Sequence, residues 1–318
     1  MTEKKPIDLG HRIHLIDLHD MGWEERTGSY VIEDEQLTLI ETSASPSLPY
    51  LLKGLQTLGL DPHDVRYIIV THIHLDHAGG AGLFLKEYPN ATVVVHPKGA
   101  RHLANPERLI AGAREVYKDQ FDPFFAPLLP VPEDKLLIKN HEDTLCIGPN
   151  RTLTFYDTPG HANHHFSIYD PVSNGMFTGD TVGVKYAQLD ELDFPFYLPS
   201  TSPNQFHPDR MLESIHLFES KKLDRIYFGH FGMSENVSEV YRQVKEWLPV
   251  FVDTAAALLQ EGKGASAITA SLYQQVQEYL VSHGIPESHP AFDVVKLDLE
   301  ICAMGLVDYL VKKEQGKA

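Results

Sequence analysis

Short runs of apolar residues, some alternating with polar ones, recur between turn residues over the first half of the chain. Residues 12–15, 29–33 and 37–42 carry this pattern and predict the opening strands of a sheet. Residues 46–58 switch to helical spacing and stop at Gly59. Residues 65–70 read as a buried strand, 80–88 as a helix and 92–95 as another strand. Helical spacing over 101–117 predicts one or two helices, which Pro123 and Pro127 are expected to keep from continuing through 120–127. Strand character returns at 144–147, 152–157, 166–169 and 175–178, followed by a helix over 207–220. From residue 234 the pattern is helical, over about 236–260, 265–283 and 290–313, with Gly262 and Gly284 closing the first two. The last helix places Phe292, Val295, Leu299 and Leu306 on one stripe, which demands a packing partner in its own chain or a second copy. Two successive halves of strands and helices suit a sheet-on-sheet core flanked by helices. The proline-punctuated segments at 97–141 and 184–206 are expected to be lids or binding loops.

The chemistry concentrates where the strand at 65–70 ends. Thr71-His72-Ile73-His74-Leu75-Asp76-His77-Ala78-Gly79-Gly80 holds three histidines and an aspartate within six residues. Histidine is the commonest metal ligand near neutral pH. Side chains two apart on an extended segment point the same way, so His72 and His74 are placed to grip one ion. Asp76 and His77, at the turn that follows, face a second. Gly79-Gly80 lets a helix begin close by with no side chain in the way.

This stretch resembles, at every position, the T-H-x-H-x-D-H-x-G-G motif of hydrolases in the metallo-β-lactamase superfamily. Thr158-Pro159-Gly160-His161, Phe177-Thr178-Gly179-Asp180-Thr181 and Ile226-Tyr227-Phe228-Gly229-His230 resemble that family's later motifs, in order. The resemblance covers about residues 11–232. It implies a four-layer αββα sandwich of the α+β class, with a catalytic domain over 1–233 and a C-terminal all-helical extension over 234–318 that forms a pocket wall or dimer face. Carried over by position, it implies His72, His74 and His161 on one metal, Asp76, His77 and His230 on the other, and Asp180 bridging both. Asp76 is also expected to accept or return a proton. His165 is expected as an outer-shell or oxyanion donor, with a bland polar role as the alternative. Tyr186 resembles in position the phenol that some lactonases of the superfamily aim at the substrate carbonyl. His207 is expected only to cap its helix. Two departures stand out: Glu41 replaces the usual strand-end aspartate, and His164-His165 follow His161 where the family often has a glycine and then a histidine or serine.

The implied cofactor is a pair of divalent ions, zinc by preference, with iron or manganese also suited to such donors. The implied reaction is attack of a hydroxide, made available by the metals, on the carbonyl of a small ester, lactone or thioester. The competing expectation is an iron-dependent oxidoreductase on the same fold, resembling persulfide dioxygenases. His74 stands against the diiron–flavin oxidoreductases, which carry glutamate there. A non-catalytic binding module is a third reading. The lysines beyond residue 245 are scattered and unaccompanied by arginine, so a glutathione thioester is not supported.

Composition narrows the substrate. The 318 residues are 42% hydrophobic and 22% charged, as in an ordinary globular protein of one large or two modest domains. A net charge of −17 without a Lys/Arg cluster disfavours nucleic acid, whose phosphates require a basic surface. Phe121, Phe124, Phe125, Phe194, Phe196 and Tyr197 in the two inserts are expected to form an aromatic wall that suits an apolar acyl chain or lactone. Cys146 and Cys302 sit in apolar contexts and are expected as buried structural thiols. Residues 1–6 lack the apolar stretch of a signal peptide, and no window has the length of a transmembrane helix. The expectation is a cytoplasmic enzyme acting on a small molecule, without nucleic-acid or membrane partners, and with a homodimer as one use of the last helix.

Overall fold

The computed structural model describes residues 5–317. Most of the 1–6 stretch read above for a signal peptide, and residue 318 of the helical extension, lie outside the described residues. The chain clusters into two compact units. The first takes residues up to Asp157, with His164–Gly179 and Leu223–Glu235; the second takes Thr158–Asn163, Asp180–Lys222 and the chain from Asn236.

In the first unit the described residues form two mixed sheets. One runs in sequence order through Ile7–Asp8, Ile13–Asp17, Gly28–Ile32, Leu37–Ile40, Val65–Ile69, Thr92–Val95 and Leu136–Ile138. Its first four strands are antiparallel and the rest pair in parallel. Parallel neighbours need crossovers, and the helices Leu48–Leu58 and Ala81–Glu87 supply two of them. The other sheet has the order Met233–Ser234, Arg225–Phe228, Gly175–Gly179, Phe166–Asp170, Arg151–Asp157, Thr144–Gly148. The two sheets meet through Tyr30, whose ring lies edge-on to Phe177 at 5.0 Å and to Tyr227 at 5.5 Å. Leu48, Leu51 and Leu55 turn the buried face of their helix onto a core with Ile16, Ile68 and Val70. Each such leucine contributes about 1.5–3 kcal/mol.

The one or two helices expected over 101–117 are two, Pro97–Ala104 and Glu107–Tyr117, the first beginning four residues early. Two readings of this unit need correction. The Glu107–Tyr117 helix stops at Lys118 (φ 50°) as expected, but Phe121–Phe125 forms a separate short helix despite Pro123, which falls in its first turn, where a missing N–H costs nothing. Cys146 is exposed, because Leu145 and Ile147 take the inward positions of its strand and strand alternation turns the thiol out.

The second unit holds the helices Pro208–Lys221, Val237–Gln260, Ala265–Ser282 and Ala291–Glu314, and the strand pair Val184–Lys185 with Tyr197–Leu198. The Asn236 side chain caps its helix by accepting the Glu239 N–H. Ala291–Glu314 packs on the two helices before it and buries Phe292, Val295, Leu299 and Leu306, so the chain itself provides the partner this stripe requires. Cys302 is buried there as expected. His207 occupies an N-cap position, but its side chain makes no capping hydrogen bond; the ring lies 5.6 Å from Tyr309. Among the described residues no helix is long and apolar enough to cross a membrane.

Candidate metal centre

Within the first unit, the Val65–Ile69 strand runs out into an extended segment, and His74 then stands at the N-cap position of the four-residue helix Leu75–Ala78, without a side-chain capping bond. The extended segment brings the rings of His72 and His74 to 4.6 Å, edge to face. The helical turn swings His77 back to 4.1 Å from the His72 ring. His230 follows the Arg225–Phe228 strand of the other sheet and comes within 5.5 Å of His77, ring to ring. Asp76 Oδ2 lies 3.8 Å from His77 Nε2 and 3.6 Å from His230 Nε2. One ligand atom from each of Asp76, His77 and His230 thus falls within 4.8 Å of the others, a spacing that can hold a metal ion. His165 is fully buried and stacks on His72 at 5.1 Å, and His164 stands edge-on to His74 at 5.3 Å.

Buried polar groups orient these rings. The Thr71 hydroxyl shares a hydrogen bond with His72 Nδ1 at 3.0 Å, and the Thr71 N–H donates to Glu41 Oε1 at 3.1 Å. Glu41 Oε2 faces His77 Nδ1 at 3.7 Å, so the longer acid in place of the expected aspartate serves two elements of the motif. Thr42 donates both its N–H (2.9 Å) and its hydroxyl (3.1 Å) to the His77 carbonyl. The Tyr30 hydroxyl shares its one proton between the carbonyls of Phe228 at 2.7 Å and Gly232 at 2.6 Å, which pins the turn carrying His230. Burial, with Tyr227 and the Glu41 charge close by, holds the Tyr30 phenol well above its usual range. Gly179 has φ +49°, and a Cβ there would sit 2.4 Å from His165 Nε2 and 2.6 Å from Thr71 Oγ1. Only hydrogen fits. Behind His77 lies Asp20, fully buried, its carboxyl pushed up to about 6 by burial against the pull of the Arg26 guanidinium, with the Asp76 charge adding to the rise.

Of the remaining expected residues, Phe121 and Phe125 are buried and Phe124 is half-buried. They gather with Ala44, Met21 and Tyr117 around Leu75, the residue between His74 and Asp76.

The second unit contains His161 and Asp180. His161 Nδ1 lies 3.1 Å from the Ser200 carbonyl, which can only accept, so Nδ1 carries the proton and Nε2 is the lone-pair nitrogen. That Nε2 is 3.7 Å from Asp180 Oδ2, which also accepts from the Ser200 hydroxyl at 3.3 Å. Tyr186 is buried, 5.6 Å from the Phe196 ring. Phe196 is buried and stacks on Tyr279 at 5.7 Å. Phe194 lies 5.4 Å from His283, and Tyr197 is buried with its N–H on Gln243.

Sequence reading missed Tyr30, Thr42, Ser43 and Asp20. Tyr30 finds its partner 198 positions away at Phe228, Thr42 its partner 35 away at His77, and Ser43 and Asp20 meet across 23 positions, so no local pattern marks them.

A model of the Metallo-beta-lactamase superfamily matches residues 24–230. The N-acyl homoserine lactonase AttM of Rhizobium radiobacter is 29% identical over 178 residues, 55% of this chain and 62% of the lactonase. Diflavin flavoprotein A 1 of Synechocystis sp. is 25% identical over 232 residues, 69% of this chain and 36% of that protein. The chain therefore spans less than two thirds of the length of either curated relative. The crystal structure of a metallo-beta-lactamase family protein from Thermus thermophilus matches with a TM-score of 0.64 at 19% identity, over 96% of this chain and 94% of that one. The expected fold class holds, with two mixed sheets, helices and C-terminal helical segments.

Proposed function

Taking as premise that this chain belongs to the metallo-beta-lactamase superfamily, we propose that it is a metal-dependent hydrolase of small lactones, esters or thioesters. The observation that carries the reading is the convergence of Asp76, His77 and His230 donor atoms, with His72 and His74 beside them. The donors are imidazoles and a carboxylate with no thiolate, a set that suits zinc and also iron or manganese. His72, His74, Asp76, His77 and His230 would hold the ions, and motif order adds His161 and Asp180. When bound, such cations acidify water to a pKa of about 7 and offset negative charge on a carbonyl oxygen under attack.

The chain's own residues divide the remaining work. Asp76 takes the proton from water and returns it to the departing oxygen or sulfur. Thr71 and Glu41 orient the His72 and His77 rings, and outer partners of this kind set ligand direction and basicity. The apolar cluster around Leu75, with Phe124, Tyr117 and Met21 half-buried, supports an apolar acyl group on the substrate. Similarity to a lactonase supports the lactone among these classes.

The test compares chelator-stripped and Zn2+-reloaded protein on a panel of lactones, aryl esters and thioesters. The expected result is turnover of a lactone that disappears on stripping, returns with Zn2+, and falls on the order of 10³-fold or more in His72→Ala. Fully loaded protein that is inert on the whole panel overturns the proposal. A second reading, an iron-dependent oxidoreductase, draws on similarity to a diflavin flavoprotein, although His74 stands against the diiron–flavin group itself. Stoichiometric iron in protein purified without added metal, together with oxygen uptake, would favour it.

A further inference from the structure

A buried polar chain runs from the His77 side of the candidate centre to an ion pair that no motif includes. The corner at residues 41–43 holds His77 through Thr42, and two of its residues, Glu41 (φ 70°) and Ser43 (φ 53°), sit in the left-handed region. Non-glycine residues persist there only when their surroundings over-determine them. Here the surroundings do so. Ser43 Oγ accepts from Thr27 Oγ1 and from Ser47 Oγ, each at 3.2 Å, and donates to Asp20 Oδ1 at 3.2 Å. A hydroxyl that accepts twice and donates once has no capacity left. The Ser43 carbonyl accepts the Gly80 N–H at 2.7 Å, which ties the corner to the glycine pair of the metal motif. Asp20 Oδ2 in turn receives Arg26 Nε at 3.1 Å, with both side chains nearly inaccessible.

We propose that Asp20 and Arg26 are positioning residues for the metal centre, acting through Ser43 on the corner that orients His77; the inference rests on the metal-binding reading above. The pair fixes the direction of the only proton Ser43 can donate, and so the setting of the strained corner.

The experiment measures Zn2+ affinity by competition with a chromogenic chelator, alongside circular dichroism, so that catalysis is not the readout. Both charges are removed together in Asp20→Asn/Arg26→Met, since a neutralised buried pair is tolerated better than half of one. Ser43→Ala severs the link and leaves the pair in place. A matched control removes another buried pair of the same unit, Arg151→Met/Asp170→Asn. The expected result is one Zn2+ bound about 10–100-fold more weakly in the double variant and in Ser43→Ala, with wild-type affinity in the control. Wild-type affinity in both test variants overturns the inference while leaving the metal reading intact, as does an equal loss in the control. Wild-type protein that binds no Zn2+ overturns the metal reading itself.

Discussion

Arg151 is the largest fully buried side chain of the first unit, and its Nε and Nη2 reach Asp170 at 2.9 and 2.8 Å. Burial would raise the Asp170 carboxyl, but hydrogen bonds from Arg151 and Ser173 and the Arg151 charge hold it below its ordinary value of 3.8. An acid depressed in the folded state contributes stability above its unfolded pKa, and that contribution is lost as pH falls through the folded one. Asp170→Asn removes the nearer of two carboxylates facing the buried guanidinium, leaving Asp34 Oδ2 at 3.7 Å, and is expected to cost about 3 kcal/mol at neutral pH. Urea melts from pH 7 downward should show the gap to wild type narrowing only below pH 3.8. A gap that is constant over this range would mean that the carboxyl charge plays no part. The same scale shows the limit of reading residues singly. Cys146 and Cys302 look alike in sequence, yet alternation on an edge strand turns one thiol out, while burial pushes the other up to about 12.

Each histidine motif owes its position to the secondary-structure element that ends beside it. The Gly175–Gly179 strand closes on a glycine whose missing side chain leaves room for His165 and the Thr71 hydroxyl. Gly179→Ala is expected to lose about 1–2 kcal/mol from the left-handed backbone alone. It should also displace His165 and Thr71, so thermal melts should fall and Zn2+ affinity should weaken together. A stable variant with unchanged affinity would show that the close approach is not enforced. The Gly160 position in the second unit follows the same logic, since a Cβ there would lie 2.4 Å from the Met211 backbone. In sequence both glycines appear only as motif letters, and the neighbours that exclude a side chain come from distant segments. The Phe121–Phe125 helix shows the reverse case, where a proline taken as a breaker falls in a first turn that tolerates it.

For the molecule as a whole, a bound ion is a source of stability as well as of chemistry. Protein loaded with Zn2+ at a thousandfold excess over its dissociation constant gains about 4 kcal/mol relative to stripped protein. Calorimetry should therefore show the stripped protein melting several degrees lower and recovering when Zn2+ is added. Identical melts with and without the ion would mean that it is not held by the folded state. The net charge of −17 acts at this scale too, attracting cations and repelling polyanionic substrates.

The sequence by itself determined the order of most strands and helices, the four motifs and the residue types offered to a metal. These are local properties, in which periodicity follows from backbone geometry and ligand choice from side-chain chemistry. Only the tertiary structure decided which remote groups aim those side chains. Tyr30 on the His230 turn, Glu41 on His77, and Asp20 on Ser43 are joined by contacts that close across the chain. A buried polar group must find its partner wherever the fold brings one, and its own neighbours in sequence carry no trace of that choice.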